Sequence, residues 1–291
     1  MARLVGEMSF TSKAKDRVVD FAGNYPKITR GLLGLLSPIL PNRWIFNRIV
    51  HQSGGKFIAR AKLGNGMKIR VVLGDMVGCH IYYDGYYEPC LVKLVESHVG
   101  PGTVFFDVGA HVGQYTLLAA ALGAEVHSFE PTPSTFELLK QNVASNHLSD
   151  VHLNDCALSD QEGTADFYLA GSANIGQNSL FDSDNHRERC TVRCTTLDHY
   201  LRSGGVNLAG RRIFVKMDVE RAELNVLRGA CLLLAARPVI LFEVLPGTSG
   251  TAEIYALLNR LDYRLFVADE NGVVPLNEAH AGALNILALP S

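Results

Sequence analysis

Two acidic residues, each at the end of a short apolar run, are the first candidates for chemistry in this chain. Asp107 closes the run that begins at Val104, and Gly109 and Gly113 follow it. Glycine lacks a Cβ, so these two positions let the backbone turn sharply and approach a ligand closely. Glu130 closes a second run at a spacing of about twenty residues, where an acidic side chain can accept hydrogen bonds from both hydroxyls of a ribose. The pair predicts a nucleoside site.

The surroundings of the two acids favour S-adenosylmethionine over NAD as the nucleoside cofactor. The turn lacks the G-x-G-x-x-G order with which dinucleotide sites bring the backbone close to a pyrophosphate. The negative charge of Asp107 would repel phosphates, but it would attract a cofactor that carries an amino group and a sulfonium. S-adenosylmethionine is such a cofactor. The alternative is a plain βαβ unit, in which Asp107 is a capping residue and Glu130 lies on the surface.

The elements around these acids predict a parallel sheet with helices. Residues 104–108 and 125–129 are short apolar runs, as in buried strands, and an apolar helix pattern begins at Gln114. Open α/β sheets bind nucleotides at the carboxyl ends of their strands, which is where Asp107 and Glu130 stand. The sequence therefore predicts that the two acids meet at one edge of a sheet.

A third short strand, over residues 151–153, leads to a polar side chain at Asp155. Such a side chain is well placed to accept a hydrogen bond from an adenine amino group, with Cys156 and Ala157 as apolar neighbours against the ring. The alternative for Asp155 is an Asx turn, in which its side chain bonds to nearby backbone.

A fourth predicted strand, over residues 212–220, ends in two further acids, Asp218 and Glu220. Side chains two apart on a strand share a face, so these carboxylates would act as a pair if the strand continues that far. One would then hold its proton near neutral pH and serve as a base when ionised. Alternatively, the pair holds Mg²⁺, which would lower the pKa of an acceptor hydroxyl. A competing role, above all for Glu220, is to cap the helix that follows near Ala222.

Composition limits the classes of partner. A chain of 291 residues with 47% hydrophobic residues permits a sizeable core, and the net charge of −2 gives no electrostatic case for binding nucleic acid. Six cysteines without a C-x-x-C pair predict the reduced thiols of a cytoplasmic protein. No apolar run is long enough to cross a bilayer, so no transmembrane segment is expected.

Three ordered motifs resemble the FkbM family of S-adenosylmethionine-dependent methyltransferases. The three motifs are residues 107–116, 129–131 and 216–223. Two further segments, residues 86–89 and 284–290, also match the family. The resemblance covers roughly residues 84 to 290, and three motifs in order are a far more specific signal than one glycine loop.

The resemblance implies a class I methyltransferase fold, which is a Rossmann-like α/β architecture with a seven-stranded, mostly parallel sheet and helices on both faces. It also implies O-methylation, commonly of a hydroxyl on a sugar or a secondary metabolite. Glu130 would hold the ribose, and Asp218 and Glu220 would face the cleft. The resemblance also places other residues at the cofactor. They are Asp107, Gly109, Ala110, His111, Gly113, Tyr115, Thr116 and Pro131, and the first five of them would lie around the methionine part of the cofactor.

Two departures from the family pattern bear on function. His111 stands where asparagine is frequent, and Arg221 stands where glycine is usual. Arg221 could crowd the acceptor or bind an anionic one, which leaves a non-catalytic cofactor-binding module open as a rival. An NAD-linked oxidoreductase is the other rival, although the missing pyrophosphate loop argues against it.

The chain divides into three predicted parts. Residues 1–55 form a helical arm, residues 56–83 a β-hairpin extension and residues 84–291 the S-adenosylmethionine-binding methyltransferase domain. The arm could be a lid over the acceptor site, a dimer arm that makes a homo-oligomer, a membrane-surface contact or a helix pair packed on the main domain. Within the domain, residues 171–187 predict a mobile loop in an inserted hairpin, and residues 223–234 predict one helix.

Overall fold

The computed structural model describes residues 57–73, 75–170, 178–181, 186–204, 206–245, 247–277, 282 and 284–291. The predicted N-terminal arm and most of the predicted mobile loop lie outside these residues. Their roles at the acceptor site stay predictions.

The described elements alternate strands and helices along most of the chain. The strands are β1 (Phe57–Lys62), β2 (Lys68–Leu73), β3 (Val104–Val108), β4 (Glu125–Phe129), β5 (Val151–Asn154), β6 (Ala157–Leu158), β7 (Gly163–Ala170), β8 (His186–Thr195), β9 (Ile213–Met217), β10 (Val239–Glu243), β11 (Tyr263–Asp269), β12 (Gly272–Pro275) and β13 (Asn285–Pro290). The helices are α1 (Met76–Asp84), α2 (Pro89–His98), α3 (Gln114–Ala121), α4 (Pro133–Ser145), α5 (Leu197–Gly204), α6 (Glu223–Arg228), α7 (Cys231–Ala235) and α8 (Ser249–Arg260). None of the described helices has the length and apolarity that a bilayer crossing would require.

The central sheet has the strand order β12-β11-β13-β10-β9-β3-β4-β5. The five strands from β10 to β5 are parallel, and β13 runs antiparallel between β10 and β11. The mostly parallel sheet expected from the resemblance is thus confirmed, but it has eight strands and not seven. The additional strand, β12, forms a hairpin with β11 at the edge of the sheet. Its four residues are all exposed and do not alternate between apolar and polar, so the sequence does not predict it.

Helices cover both faces of this sheet because neighbouring residues on each strand point to opposite sides. Phe105 packs on one side with residues of α2 and α3, such as Leu91 and Leu118. Phe106 packs on the other side with residues of α6, α7 and α8, such as Leu227 and Leu258. The parallel strands are apolar on both faces for this reason.

A hairpin and a helix precede the main sheet. Strands β1 and β2 pair antiparallel around the Asn65-Gly66 turn, as their alternation predicts. Helix α1 follows directly and was not predicted, because its run of buried tyrosine, cysteine and glycine has little amphipathic contrast. The buried Asp75 caps this helix by accepting from the Gly78 amide at 2.9 Å.

The predicted helix over residues 223–234 is in fact two short helices, α6 and α7. The break falls at Gly229, whose carbonyl accepts from the Asp198 amide at 2.9 Å. The Asp198 side chain in turn accepts from the Leu232 amide at 2.7 Å. A Cβ on Gly229 would also lie 2.1 Å from the Ser159 carbonyl oxygen. These contacts with distant segments bend the chain, and no local pattern could indicate them.

Candidate active site

An open cleft lies at the carboxyl ends of β3, β4, β5 and β9. It has about 930 Å³ of empty space, part of it open to solvent. The residues predicted for the cofactor that line this cleft are Gly109, Ala110, His111, Tyr115, Glu130, Pro131, Cys156, Ala157 and Asp218. Four other predicted residues, Asp107, Gly113, Thr116 and Asp155, are not among its lining residues.

Asp107 lies directly behind the cleft wall and is only 1% exposed. The Thr116 hydroxyl donates to its Oδ2 at 2.6 Å and also contacts the Ser128 hydroxyl at 2.7 Å. The Asp107 Oδ1 atom is buried and has no hydrogen-bond partner among the described residues. Burial raises the pKa of Asp107 to about 6, although the nearby Lys216 and Thr116 oppose the shift. Thr116 therefore positions Asp107 and does not itself face the cleft.

The two glycines bring separate motifs into contact. A Cβ on Gly109 would lie 1.9 Å from the carbonyl oxygen of Asp218, so only glycine lets the β3 turn press against the end of β9. Gly113 has a φ of +96° and precedes α3, where a Cβ would lie 2.5 Å from the Leu139 side chain. Gly113 thus shapes the turn by packing on α4 and does not line the cleft.

Glu130 faces the cleft in a fixed orientation. Its Oε2 accepts from the His111 amide at 3.0 Å, and its Oε1 accepts from the Thr132 amide at 2.8 Å. A carboxylate has about four acceptor positions, so both oxygens can still accept from hydroxyl groups of a ligand. Burial raises the pKa of Glu130, and the nearby His111 opposes that shift.

His111 presents an unsatisfied ring to the same cleft. Its two ring nitrogens are buried and have no hydrogen-bond partner among the described residues, and its backbone is left-handed with a φ of +51°. The nearest carboxylate oxygen is Oδ2 of Asp75, 4.0 Å from Nε2. Buried polar atoms without partners are rare in native proteins, so this ring indicates a place for a polar ligand group.

The far wall of the cleft is apolar. Cys156, Ala157 and Leu158 line it together with Phe129 and Phe167. Burial raises the pKa of the Cys156 thiol to about 11, so the thiol is neutral and serves as part of the wall. A flat apolar surface of this kind suits a purine ring.

Lys216 and Asp218, which both line the cleft, form an ion pair. Lys216 Nζ lies 2.8 Å from Asp218 Oδ2, and the lysine side chain is 7% exposed. Burial lowers the pKa of Lys216, but the Asp218 and Asp107 carboxylates outweigh it and the pKa is raised. The Lys216 ammonium also lies 5.0 Å from the ring centre of Tyr115, whose buried hydroxyl has no hydrogen-bond partner among the described residues.

A second cavity adjoins the first and shares Asp218 with it. It has about 340 Å³ of empty space, part of it open to solvent, and its other charged lining residues are Glu220, Arg221, Glu223 and Glu243. Burial raises the pKa of Glu220 to about 8 and that of Glu223 to about 7, and Asp218 adds to both shifts. Burial and the same acidic neighbours raise the pKa of Glu243. This cavity therefore holds a concentration of carboxyl groups that resist ionisation.

Asp218 and Glu220 were predicted to lie two apart on one strand, and the structure differs from that prediction. Strand β9 ends at Met217, and Glu220 lies in a turn with a left-handed φ of +51°. The argument from side chains two apart on a strand therefore does not apply, although both residues line the second cavity. Glu220 does not cap α6 either, because the capping residue is Ala222 and no side chain bonds there. Instead, Glu223 Oε1 accepts from two amides of the turn, at 3.2 and 3.3 Å.

Residues 107–265 match the family model for the methyltransferase FkbM domain, which is more than half of the chain. The chain belongs to this family. Two acids of the family motifs, Asp107 and Asp218, lie at the carboxyl ends of the adjacent strands β3 and β9. Between them, Gly109 packs against the carbonyl oxygen of Asp218.

Two relatives with similar stretches are named as methyltransferases. A stretch of 85 residues is 40% identical to 31-O-demethyl-FK506 methyltransferase FkbM of Streptomyces tacrolimicus, over 28% of this chain and 32% of that protein. A stretch of 160 residues is 26% identical to hexuronic acid methyltransferase AglP of Haloferax volcanii, over 55% of this chain and 63% of that protein. Both matches cover less than two thirds of the relative. Among solved structures, precorrin-6y C5,15-methyltransferase from Geobacter metallireducens overlaps 71% of this chain with 89% of its own, at 13% identity and a TM-score of 0.40.

Arg221 stands where glycine is usual in the FkbM family, and its backbone has a conformation that is typical of glycine. Its φ is +82°, a left-handed value that glycine adopts without cost. The exposed guanidinium lies 5.7 Å from the ring centre of Phe181, at the rim of the second cavity. The neighbouring Ser179 hydroxyl donates to the Glu220 carbonyl at 2.5 Å. Residues 178–181 of the inserted hairpin thus cover the acidic turn of the family motif.

Asp155, predicted to face an adenine from its place after the third strand, does not line the cleft. Its side chain is 68% exposed and forms an ion pair with Arg193 at 2.6 Å. The predicted apolar neighbours, Cys156 and Ala157, do face the cleft, so the chain turns between positions 155 and 156. Arg193 comes from β8, a partner that the local sequence around Asp155 does not reveal.

Lys216 is a cleft residue that the sequence pattern did not single out, although it falls inside an FkbM-family motif. A lysine in the middle of a buried strand is costly unless it is paired, and that signal in the sequence could have indicated it. Glu88 lines the cleft as well, and its backbone has a left-handed φ of +49°. Phe167 also lines the cleft, and it was not predicted because it comes from the inserted hairpin and not from a family motif.

Proposed function

We propose that this protein is an S-adenosylmethionine-dependent O-methyltransferase whose acceptor is a hydroxyl of an uncharged sugar or a similar polyhydroxylated small molecule. The observation that carries the proposal is the position of Asp218. It lines both the large cleft, which suits the cofactor, and the adjoining acidic cavity, which suits the acceptor. A methyl group has to pass between two ligands at such a junction.

The donor groups of the large cleft fit S-adenosylmethionine. Glu130 offers acceptors for the ribose hydroxyls, and the wall around Cys156 and Phe167 suits the adenine. The unpartnered groups of His111 and Tyr115 are free to bind the carboxylate and amino groups of the methionine part. Asp107 and Asp218 add negative charge near a cationic ligand. When bound, the cofactor supplies an electrophilic methyl group.

The acidic cavity supports an uncharged acceptor. Among the described residues that line it, the charged groups are the carboxyls of Asp218, Glu220, Glu223 and Glu243 and the guanidinium of Arg221. Carboxyl groups bind hydroxyl groups as acceptors or, when protonated, as donors, and an anionic acceptor would oppose the ionised carboxylate that proton removal requires. An acceptor such as the hexuronic acid in the name of the Haloferax volcanii relative is therefore disfavoured for this chain.

The chain's own part in the reaction is to orient a hydroxyl and to remove its proton. Lys216 fixes the Asp218 carboxylate through the 2.8 Å contact, so Asp218 can orient an acceptor hydroxyl where the two cavities meet. Glu220, whose pKa of about 8 is matched to neutral pH, takes the proton. The products are a methyl ether, S-adenosylhomocysteine and protonated Glu220.

The metal-assisted version of this reaction has less support. In the described part of the chain, the acids of the second cavity do not form a group of three whose ligand atoms all lie within 4.8 Å of one another. A divalent ion held by Asp218 would also have to compete with the Lys216 ammonium. Dialysis against EDTA separates the versions, because loss of turnover that Mg²⁺ restores would establish the ion.

Calorimetry and an acceptor screen test the proposal. We expect S-adenosylhomocysteine to bind with one site per chain and NAD to show no binding. With labelled S-adenosylmethionine, we expect label to enter neutral glycans or polyols more readily than matched uronic acids. NAD binding without S-adenosylhomocysteine binding would refute the cofactor assignment. Preferred transfer to uronic acids would refute the acceptor assignment alone.

A further inference from the structure

A second cluster of titratable side chains lies toward the opposite end of the sheet from the cleft. Glu125 and His127 stand two residues apart on β4, and His152 is the cross-strand partner of His127 on β5. One carboxylate oxygen and one nitrogen of each imidazole all lie within 4.8 Å of one another. Neither the cofactor cleft nor the acidic cavity includes any of these residues.

We propose that Glu125, His127 and His152 form a binding site for Zn²⁺ or a chemically similar divalent transition-metal ion. Two imidazoles and one carboxylate are a donor set that zinc uses in proteins, whereas Mg²⁺ and Ca²⁺ prefer oxygen ligands alone. The three residues come from two adjacent strands of a rigid sheet. Two of the three ligands therefore need no rearrangement of the backbone to reach one ion.

The Glu125–His127 contact is the core of this site. His127 Nε2 and Glu125 Oε1 are 3.0 Å apart and face each other directly. Zinc bonds to nitrogen and oxygen are about 2.0–2.2 Å long, so a small opening of this contact admits an ion in place of the proton. His127 itself is 2% exposed, and that burial limits competition from water.

His152 closes the site from the solvent side. Its ring is stacked on that of His127, with centroids 4.6 Å apart and planes 9° apart. Stacked rings direct their lone pairs side by side, so the His152 ring has to rotate toward the ion. It is exposed and therefore has room to do so. The exposed side also leaves a coordination position for water.

The supporting contacts are already those of a metal site. The other nitrogen of His127, Nδ1, lies 2.8 Å from the Tyr200 hydroxyl on α5. The other oxygen of Glu125, Oε2, accepts from the Arg211 guanidinium. Metal-binding histidines generally bond through their second nitrogen to a polar partner, which fixes the ring orientation. Both β4 ligands are thus held through the atoms that would not bind the ion.

The expected consequence is structural. Strand β5 is an edge of the central sheet, and an ion shared by His127 and His152 would tie it to β4. Because an ion that binds only the folded chain stabilises it by mass action, Zn²⁺ should raise the melting temperature. None of the three ligands lines the cleft or the acidic cavity, so methyl transfer should not depend on the ion.

Zinc titration of the full chain, after removal of metal with a chelator, tests the proposal. The informative variant is His152→Ala, because this exposed side chain can be removed without opening the core. The matched control is His199→Ala, which also removes an exposed histidine paired with a carboxylate, Glu162 at 2.8 Å. We expect the wild type and His199→Ala to bind one more Zn²⁺ than His152→Ala and to melt at a higher temperature with Zn²⁺. Mg²⁺ should not produce this rise.

Tyr200→Phe gives an independent readout, because it keeps the ring and removes only the hydroxyl bonded to His127. Loss of such a supporting contact should weaken Zn²⁺ binding by about 10–100-fold. A Co²⁺ absorption spectrum that differs between the wild type and His152→Ala would identify the imidazole ligand directly. Equal Zn²⁺ stoichiometry and affinity in the wild type and His152→Ala would overturn the proposal. Should His152→Ala fail to fold, unchanged Zn²⁺ affinity in Tyr200→Phe would overturn it instead.

Discussion

Replacing Arg221 by glycine should leave the protein more stable than replacing it by alanine, the reverse of the usual order. Both changes remove the guanidinium and its contact with Phe181, so their difference isolates the backbone at a φ of +82°. A left-handed conformation costs a residue with a Cβ about 1–2 kcal/mol. Glycine loses more conformational freedom on folding, which costs about 0.5–1 kcal/mol. The midpoints of these two costs differ by about 0.75 kcal/mol in favour of glycine.

Urea unfolding of the two variants measures this difference directly. The matched control is the same pair of changes at Arg60, an exposed residue of β1 with ordinary strand backbone, where alanine should be the more stable by about 0.5–1 kcal/mol. An Arg221→Ala protein at least as stable as Arg221→Gly would refute the reasoning. The strain at this turn would then be absent or compensated elsewhere.

Three further predictions concern the cofactor, the acidic cavity and the N-terminal arm. Glu130→Ala should weaken S-adenosylhomocysteine binding by about 1.5–3 kcal/mol in calorimetry, the scale for lost hydrogen bonds to a charged group; unchanged affinity would remove Glu130 from the ribose site. The pKa values of Glu220 (about 8) and Glu223 (about 7) lie above the ordinary 4.5, so the folded state binds these protons more tightly. The free energy of unfolding should therefore fall as pH rises from 4.5 to about 8, and Glu243→Gln should flatten that fall; a rise over this range would contradict the assignment. A chain that starts near Gly54 should keep its cofactor affinity and lose or alter acceptor turnover, and unchanged turnover would exclude the arm from the acceptor site.

Sequence patterns predict a structural feature correctly where neighbouring residues in the sequence are its physical cause. Gly109 and Glu130 stand at the ends of buried strands, and the sequence around each of them shows the strand, the turn and the polar end together. Those features place both residues at one sheet edge, as the structure confirms. The apolar alternation around Asn65-Gly66 is another local cause, and it yields the β1–β2 hairpin.

Where the structure differs from the sequence-based predictions, the cause is a contact with a residue far away in the sequence. Asp198 breaks the predicted helix at Gly229, and Arg193 holds Asp155 outside the cleft. Glu220 lies in a strained left-handed turn and not on a strand, because β9 ends earlier than its apolar and acidic pattern indicates. Long-range contacts of this kind leave no periodic signal, so a single sequence cannot predict them.

The central claim is that acids of the second cavity act on the acceptor hydroxyl while the first cavity holds S-adenosylmethionine. Turnover of the neutral acceptor from the screen, measured together with S-adenosylhomocysteine affinity, tests it most directly in Glu220→Gln and Asp218→Asn. Glu137→Gln, an exposed change on α4, is the control. Glu220 does not line the first cavity, so Glu220→Gln should keep the cofactor affinity of the wild type while turnover falls by about 10²-fold or more. Asp218→Asn should lose turnover on the same scale with cofactor binding largely intact. Full turnover in both variants would contradict the account.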